Sequence, residues 1–269
     1  MGKIVIITSD HPRHKYLVRE IQKKNEVVGL AVESKPEDSA MSTQSMDSIV
    51  RDYFKEREMA ELKYFGGDNG FNVTSDVIRR MRWGEINSGD SYAWIQKISP
   101  DMIILFGSSI IKGFLLSEYE GRIINMHLGL SPYYRGSSTN FWPLVDALPE
   151  CVGVTIHHAV LKVDAGRILS QGRPDVSEGD VSHDFGCKSI IKGVQLLIQT
   201  LDMMKDRTVS GIVQEGAGKL CKRKDFTLES LISMQTNFQK GMVSEYLTRK
   251  KERDSRFPIV SLDLFHGET

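Results

Sequence analysis

Asn125 and His127 stand two residues apart at the end of an apolar run, in the stretch INMHLGLSPYYRG. On an extended strand that spacing puts both side chains on one face, so a single small reacting group can meet both. An amide that donates hydrogen bonds, beside an imidazole that takes or holds a proton, suits a tetrahedral intermediate at a carbonyl carbon. Ser108, Ser109 and Ser131 lie nearby in sequence, but none sits in a G-x-S-x-G elbow, and each serves equally as a turn or helix-cap hydroxyl. The residues therefore favour direct attack by the substrate over a covalent enzyme intermediate. Asp164, in VLKVDAG, is a third candidate, although taken alone a turn aspartate bonded to nearby backbone is the simpler reading. His157 and His158 are adjacent and face opposite sides of a strand, so at most one enters a site and the other is structural. Residue types alone leave a catalytic pair and a merely satisfied hydrogen-bonding pair both open.

The elements that must position these residues follow from the hydrophobic pattern. KIVIIT (Lys3 to Thr8), EVVGLAV (Glu26 to Val32), DMIILFG ending at Gly107 and GRIINMH ending at His127 read as buried strands, with KYLVREIQKK as a helix between the first two. This alternation predicts an α/β fold, a Rossmann-like parallel or mixed sheet flanked by helices. In such sheets the ligand crevice lies beyond the carboxyl ends of the strands. SDHPRH, GSSI and NMHLGLSP all fall there. Between the second and third strands, ESKPEDSAMSTQSMD reads as an exposed loop. SIVRDYFKEREMAELKYF reads as a helix whose stripe of Ile49, Tyr53, Met59, Leu62 and Phe65 packs on the core and which GGDNG stops. GVTIHHAVLKV and GRILSQGRPDV form an antiparallel pair turned at DAG. SHDFGCKSIIKGVQLLIQTLDMMKD is a helix capped by Ser182, and another runs from Leu228 to about Lys250. The boundaries predicted are a catalytic domain over 1–210 and a small C-terminal extension with a helix over 211–269.

Thirty-five Lys and Arg balance thirty-five Asp and Glu, which removes the whole-molecule attraction of a general nucleic-acid binder but leaves room for a local basic patch. The N-terminal apolar run is too short for a signal peptide, and no stretch is long enough to span a bilayer, so the expected location is cytoplasmic. Cys151, Cys187 and Cys221 are odd in number and widely spaced, the pattern of packed free thiols rather than of a disulfide framework or zinc site.

The run PDMIILFGSSIIKGFLLSEYEGRIINMHLGLSPYYRG, followed by GVTIHHAVLKVDAGRILSQ, resembles the folate-dependent formyltransferase superfamily, which includes glycinamide ribonucleotide, methionyl-tRNA and nucleotide-sugar formyltransferases. That family has Asn-x-His, a Leu-Pro turn, a Gly and a later Asp-x-Gly, matched here by Asn125, His127, Pro132, Gly136 and Asp164. The resemblance implies transfer of a formyl group from 10-formyltetrahydrofolate to an amine, with no metal. It implies that Asn125 donates to the developing oxyanion, a contribution of about 3 kcal/mol, and that His127 is the general base. Asp164 then orients His127 and stabilises its charge, with acid-base assistance on the order of 10² to 10⁴ in rate. Backbone groups of Phe106, Gly107, Ser108, Ile110 and Ile111, and of Val160, Leu161 and Val163, are the implied folate contacts. One departure stands out: where many members have Ser-Leu-Leu-Pro, this chain has Gly129-Leu130-Ser131-Pro132, which bears on the shape of the folate or acceptor mouth.

The acceptor is expected to be a small amine rather than a nucleic acid. The segment after Gly211 is short and basic only at KLCKRKD, a poor substitute for the many phosphate contacts that tRNA requires. YYRGSSTNFWPLVDALPECVGVTIH resembles the nucleotide-sugar enzymes, which carry a similar Arg-Gly, Asn-x-Trp and Gly-Val-Thr-Ile-His. An amino sugar, nucleotide-linked, is the acceptor this implies; a glycinamide-ribonucleotide-like amine, or water in a hydrolase, is the alternative. Such hydrolases usually carry an N-terminal regulatory domain, whereas this chain opens at its first strand. A non-enzymatic binding module is disfavoured because all three polar positions are intact. For a phosphate-bearing acceptor, Arg13, His14 and Lys15 after the first strand and Arg135 after the motif are candidate anion contacts, or else solvated helix-start charges. Asn140 and Trp142 are candidate pocket-lining residues, with Trp142 equally suited to the core. The C-terminal segment offers a surface for a homodimer.

Overall fold

A computed structural model describes residues 2–35, 47–67, 70–205, 209–216 and 218–265. The strands are β1 (Lys3–Thr8), β2 (Glu26–Ser34), β3 (Ile78–Arg82), β4 (Met102–Leu105), β5 (Ile123–Leu128), β6 (Tyr134–Gly136), β7 (Val154–His158), β8 (Ile168–Gly172) and β9 (Lys219–Cys221). The helices are α1 (Pro12–Gln22), α2 (Ser48–Phe65), α3 (Gly89–Ile98), α4 (Gly113–Glu118), α5 (Trp142–Val145), α6 (Ser182–Met204), α7 (Leu228–Gln239), α8 (Met242–Thr248) and α9 (Lys250–Ser255).

Seven strands form one sheet in the order β3-β2-β1-β4-β5-β7-β8. The first five in that order pair in parallel, and β7 runs antiparallel to both β5 and β8, so the mixed Rossmann-like sheet is the fold observed. Alternate residues of each buried strand feed opposite faces. Ile4, Ile6, Ile104 and Ile124 pack under α1 and α6, while Val5, Ile7, Ile103 and Ile123 pack under α3 and α4. Burial on both faces makes these strands near-continuous apolar runs. β3, with the sequence IRRMR, lacks that signature because it is the edge strand, and the hydrophobic pattern misses it.

Several local expectations are corrected. The connection between β7 and β8 runs from Ala159 to Arg167 and is not a tight turn at DAG. Ser182 is the first residue of α6, not its cap; Asp184 folds back to accept the Val181 N–H at 2.9 Å. The helix expected from Leu228 breaks at Lys240–Gly241, where Gly241 adopts φ +83, and continues as α8 and α9. In α2, Tyr53 and Phe65 of the expected stripe pack inward, whereas Ile49, Met59 and Leu62 are exposed and Phe54, Arg57 and Glu61 take the remaining inward positions. Of the loop expected at 33–47, Glu33 and Ser34 belong to β2, Glu33 is buried, and residues 36–46 lie outside the described residues. The segment beyond residue 210 shares a core with what precedes it: Leu231, Met234 and Met242 pack with Tyr134, Phe141, Trp142 and Leu144. Among the described residues no helix is long and apolar enough to cross a membrane. The three cysteines are buried free thiols.

Candidate active site

β5 and β7 pair so that Asn125 lies opposite His157 and His127 opposite Thr155. The register decides between the two adjacent histidines. His157 turns to the site, and His158 turns away to bond the Val209 carbonyl through Nε2 at 2.9 Å. The connection after β7 then returns Asp164 over the same face, in the left-handed region at φ +47, which aspartate tolerates better than most residues. His127 Nδ1 is 3.4 Å from Asp164 Oδ1. Asn125 Nδ2 reaches His157 Nε2 at 3.0 Å and Asp164 Oδ1 at 3.4 Å. Thus Asn125, His127 and Asp164, far apart in sequence, meet in one cluster.

Asp164 is anchored by a main-chain donor, for the Gly136 N–H donates to Oδ2 at 2.9 Å. Glycine is required at 136: its φ is +97, and a Cβ there would meet the Cys221 carbonyl oxygen at 2.2 Å, because β6 pairs with β9. Burial pushes the Asp164 carboxyl up, but His127, His157 and the Gly136 N–H outweigh it and hold the group well below the ordinary carboxylate range. For His127, burial comes first and lowers its pKa below the usual 6.5, against the raising pull of Asp164 and with a further lowering push from His157. The resting site is therefore an ionised carboxylate beside a neutral imidazole.

The surroundings of His127 can accommodate a second ring proton. Nε2 lies 3.3 Å from the Tyr134 carbonyl and 3.4 Å from the Thr139 hydroxyl. That hydroxyl donates to the Leu128 carbonyl, so it presents lone pairs to the ring. A singly protonated ring satisfies either Asp164 or these oxygens; the doubly protonated ring satisfies both sides.

His157 is the functional residue that the sequence left ambiguous. Its Nδ1 donates to the His158 carbonyl at 2.9 Å, which leaves Nε2 as the acceptor for Asn125 and fixes the orientation of the amide. Knowledge of the antiparallel register would have identified it. Glu33 was also missed: at the buried end of β2 it accepts from Gly84 N, Ser109 N and Ser109 Oγ at 2.8, 2.7 and 2.9 Å, holding the loop after β4 in place.

The two departures in the turn after β5 behave differently. Ser131 is fully buried, its N–H donating to Thr155 Oγ1 and its carbonyl accepting from Gln171, so it does not line a mouth. Gly129 lies against the His127 ring, where a Cβ would come within 2.7 Å of His127 Nε2 and 2.8 Å of Thr139.

Of the implied folate contacts, Phe106 and Ile111 are buried, with the Phe106 N–H given to the Ile7 carbonyl at 3.1 Å. The Gly107 carbonyl accepts from Ser9 Oγ and the Ile110 carbonyl from Asn87, while Ser108 Oγ donates to the Ser109 carbonyl. The loop is thus braced from inside. Ile110, Val160, Leu161 and Val163 nevertheless expose 49%, 44%, 65% and 37% of their surface, an apolar border suited to a flat heteroaromatic ring.

The anion candidates separate. His14 is in the core, with Nδ1 on Thr8 Oγ1 at 2.6 Å, its ring on Phe106, and burial first among the causes holding it neutral; it offers no surface to an anion. Arg13 is nearly buried against Glu61. Lys15 pairs with Asp10 at 2.8 Å, and Arg135 is buried on β6. Asn140 Oδ1 accepts from Gly153 N at 3.0 Å, and Trp142 is a core residue.

Residues 2–201 match the family model described as formyl transferase. Methionyl-tRNA formyltransferase of Natranaerobius thermophilus is 30% identical over 131 residues, 48% of this chain and 42% of that protein. The match thus spans less than half the length of that curated relative. Among solved structures, a sugar N-formyltransferase from a Shewanella species superposes with a TM-score of 0.56 at 16% identity, over 87% of each chain. Phosphoribosylglycinamide formyltransferase from Streptococcus pneumoniae gives 0.52 at 21% identity, over 76% of this chain and 99% of the other. At such identities the likeness is one of fold.

Proposed function

Since the chain belongs to the formyl transferase family, we propose that it moves a formyl group from 10-formyltetrahydrofolate to the amine of an amino sugar, in nucleotide-linked form. The observation that carries this reading is the meeting of an amide donor, a neutral imidazole and an ionised carboxylate at one sheet end. No activated nucleophile accompanies them among the described residues. Burial raises the Cys151 and Cys187 thiols to about 12 and the Cys221 thiol to about 11, and Ser109 Oγ is spent on Glu33. The acceptor amine attacks directly.

The bound donor supplies the formyl carbon, and the exposed apolar border of Ile110, Val160, Leu161 and Val163 would hold its ring. The chain's own residues handle charge and protons. Asn125 keeps one N–H on His157 and gives the other, held only at 3.4 Å by Asp164, to the oxygen on which negative charge develops. His127 takes the proton released by the amine; the imidazolium is then supported by Asp164 on one side and the Tyr134 carbonyl on the other. Asp164 stays ionised throughout, because its own pKa is too low for it to keep the proton.

The amino-sugar acceptor is supported by the segment Tyr133 to His157, which resembles nucleotide-sugar enzymes. The identity to methionyl-tRNA formyltransferases favours a second acceptor, charged methionyl-tRNA. The test is tetrahydrofolate production from 10-formyltetrahydrofolate with each acceptor supplied separately: amino-sugar nucleotides, glycinamide ribonucleotide and methionyl-tRNA. Turnover that depends on an amino-sugar nucleotide is expected. Formate release without any amine would make the chain a hydrolase, and turnover with tRNA alone would replace the acceptor.

A further inference from the structure

One stretch of the C-terminal segment, residues 210–216 and 218–221, holds the Asp164 corner from two sides. It begins by docking on the start of β8, where Ile168 and Ile212 exchange N–H to carbonyl bonds of 2.7 Å in both directions. Beside that bridge, Arg167 Nε donates to the Ser210 and Gly211 carbonyls at 2.7 and 3.1 Å. The stretch ends as β9, paired with the strand that carries Gly136, whose N–H donates to Asp164 Oδ2, and Tyr134, whose carbonyl faces His127 Nε2. Between these two anchors stands Gln214. Its Nε2 donates to the Asp164 carbonyl at 2.9 Å and to the Gly166 carbonyl at 2.7 Å.

Those two bonds fall where the chain is hardest to hold. Asp164 sits at φ +47, a left-handed backbone that a residue with a Cβ keeps only where its surroundings enforce it. Within the turn the Ala165 N–H reaches the Lys162 carbonyl only at 3.3 Å, and Gly166 runs so close to the His158 carbonyl that a Cβ would collide with it. A primary amide suits this place because one uncharged nitrogen carries two N–H donors. It ties the carbonyls on either side of Ala165 to one point, and so sets the direction in which the Asp164 side chain leaves the backbone. Gln214 Oε1 is buried and has no hydrogen-bond partner among the described residues. That unpaired acceptor offsets part of what the two bonds add to stability, whereas nothing offsets their geometric constraint on the turn.

We propose that Gln214 is a positioning residue for the reaction: its amide clamps the Asp164 turn and, with β9 holding the strand of Gly136, fixes the carboxylate against His127. The inference rests on the amine-formylation reading, in which Asp164 supports the imidazolium. It makes the segment after residue 210 part of the reacting unit rather than an appended surface.

The test uses the whole chain carrying Gln214→Met, which keeps the length of the side chain and removes both donors, or Gln214→Glu, which sets carboxylate lone pairs against the two carbonyls. Thermal midpoints check folding. Displacement of Asp164 should lower kcat roughly tenfold in Gln214→Met and further in Gln214→Glu. Glu215→Gln, at the exposed neighbouring residue, should leave it unchanged. A second readout, the NMR titration of the His127 ring, needs no turnover. Burial lowers that pKa first, Asp164 and the Tyr134 carbonyl raise it, and His157 and Arg135 lower it, with the Thr139 hydroxyl 3.4 Å from Nε2. Since Asp164 is the main raising influence, the ring in both Gln214 variants should titrate at lower pH than in the wild type. Adding Gln214→Met to Asp164→Asn should move neither the titration nor kcat further, because the clamp acts through that carboxylate. A glutamine that only supported the fold would lower the thermal midpoint and leave the titration where it was. An unmoved His127 titration in both variants, or an undiminished effect of Gln214→Met on the Asp164→Asn background, overturns the proposal. If the titration shifts as described and no amine is formylated, the clamp stands and the reaction reading fails. Formylation at the wild-type rate by Gln214→Met, with the titration unmoved, is the converse.

Discussion

Two collections of charge sit at the same end of the sheet and are built in opposite ways, one nearly buried around Asp164 and the other half-exposed around Arg57. In the corner proposed as catalytic, Asp164 has more partners than its charge needs, among them the Gly136 N–H, His127 and the Asn125 amide. Around Arg57 the pairing is looser: Glu61 is shared between Arg13 and Arg57, and Arg57 Nε, 4.0 Å from that carboxylate, has no hydrogen-bond partner among the described residues. A corner that must act on charge appearing for an instant benefits from dipoles already aimed. Substitutions in the two regions should then differ in kind: those in the corner should lower kcat, and Arg57→Gln, outside it, should leave kcat near the wild-type value.

The largest effect is expected from Asp164→Asn. It removes the charge that supports the imidazolium and should reduce turnover on the order of 10³, with folate affinity nearly unchanged. Burial keeps His127 below its usual 6.5, so the wild-type acid limb of kcat/KM should lie below that value. Asp164 is the main influence raising His127, and its loss should move the limb to lower pH still. A pH-rate profile with an unmoved limb, or wild-type turnover, would break the contrast by showing the corner indifferent to its carboxylate.

His157→Phe should come next. It removes the acceptor that fixes the Asn125 amide without touching the imidazole–carboxylate pair, and misdirection of one donor should cost about 10² in kcat. His157→Gln should recover part of this. If the loss appeared in KM for the acceptor instead, His157 would belong to binding.

Gly129→Ser sharpens the comparison from inside the turn. It restores the residue common in the family, but its Cβ would lie 2.7 Å from His127 Nε2 and 2.8 Å from Thr139. Overpacking of this kind costs about 1–3 kcal/mol, readable as a lower thermal midpoint, and displacement of His127 should lower kcat. A fully stable and active variant would mean that the Thr139 side chain is not held against the ring.

The contrast between the regions also explains what was legible in the sequence. Asn125 and His127 were readable as a pair because strand periodicity is local, whereas Asp164, taken alone a turn aspartate, was singled out only by the family resemblance. His157 required the β5–β7 register, which depends on how the chain crosses the sheet and has no local signature. The charges around Arg57 were less visible. Arg57 and Glu61 sit in a helix whose apolar residues suggested a different inward face. β3 was hidden because an edge strand exposes its charged side chains. Local periodicity thus located the parallel sheet and the Asn-x-His pair, whereas pairing across the chain located everything that meets them.

The smallest effect is expected at Ser131, the other departure in the turn, and it tests whether that turn differs from the family for the sake of the mouth. Ser131 is wholly buried and its backbone is held by Thr155 and Gln171, yet its Oγ has no hydrogen-bond partner among the described residues. A buried hydroxyl that makes no bond contributes desolvation cost without return. Ser131→Ala should therefore leave both kcat and the acceptor KM unchanged and raise the unfolding free energy by up to about 1 kcal/mol, measured by denaturant titration. A drop in stability would reveal a bond made by that hydroxyl. A change in acceptor KM would show that the interior of the turn shapes the mouth.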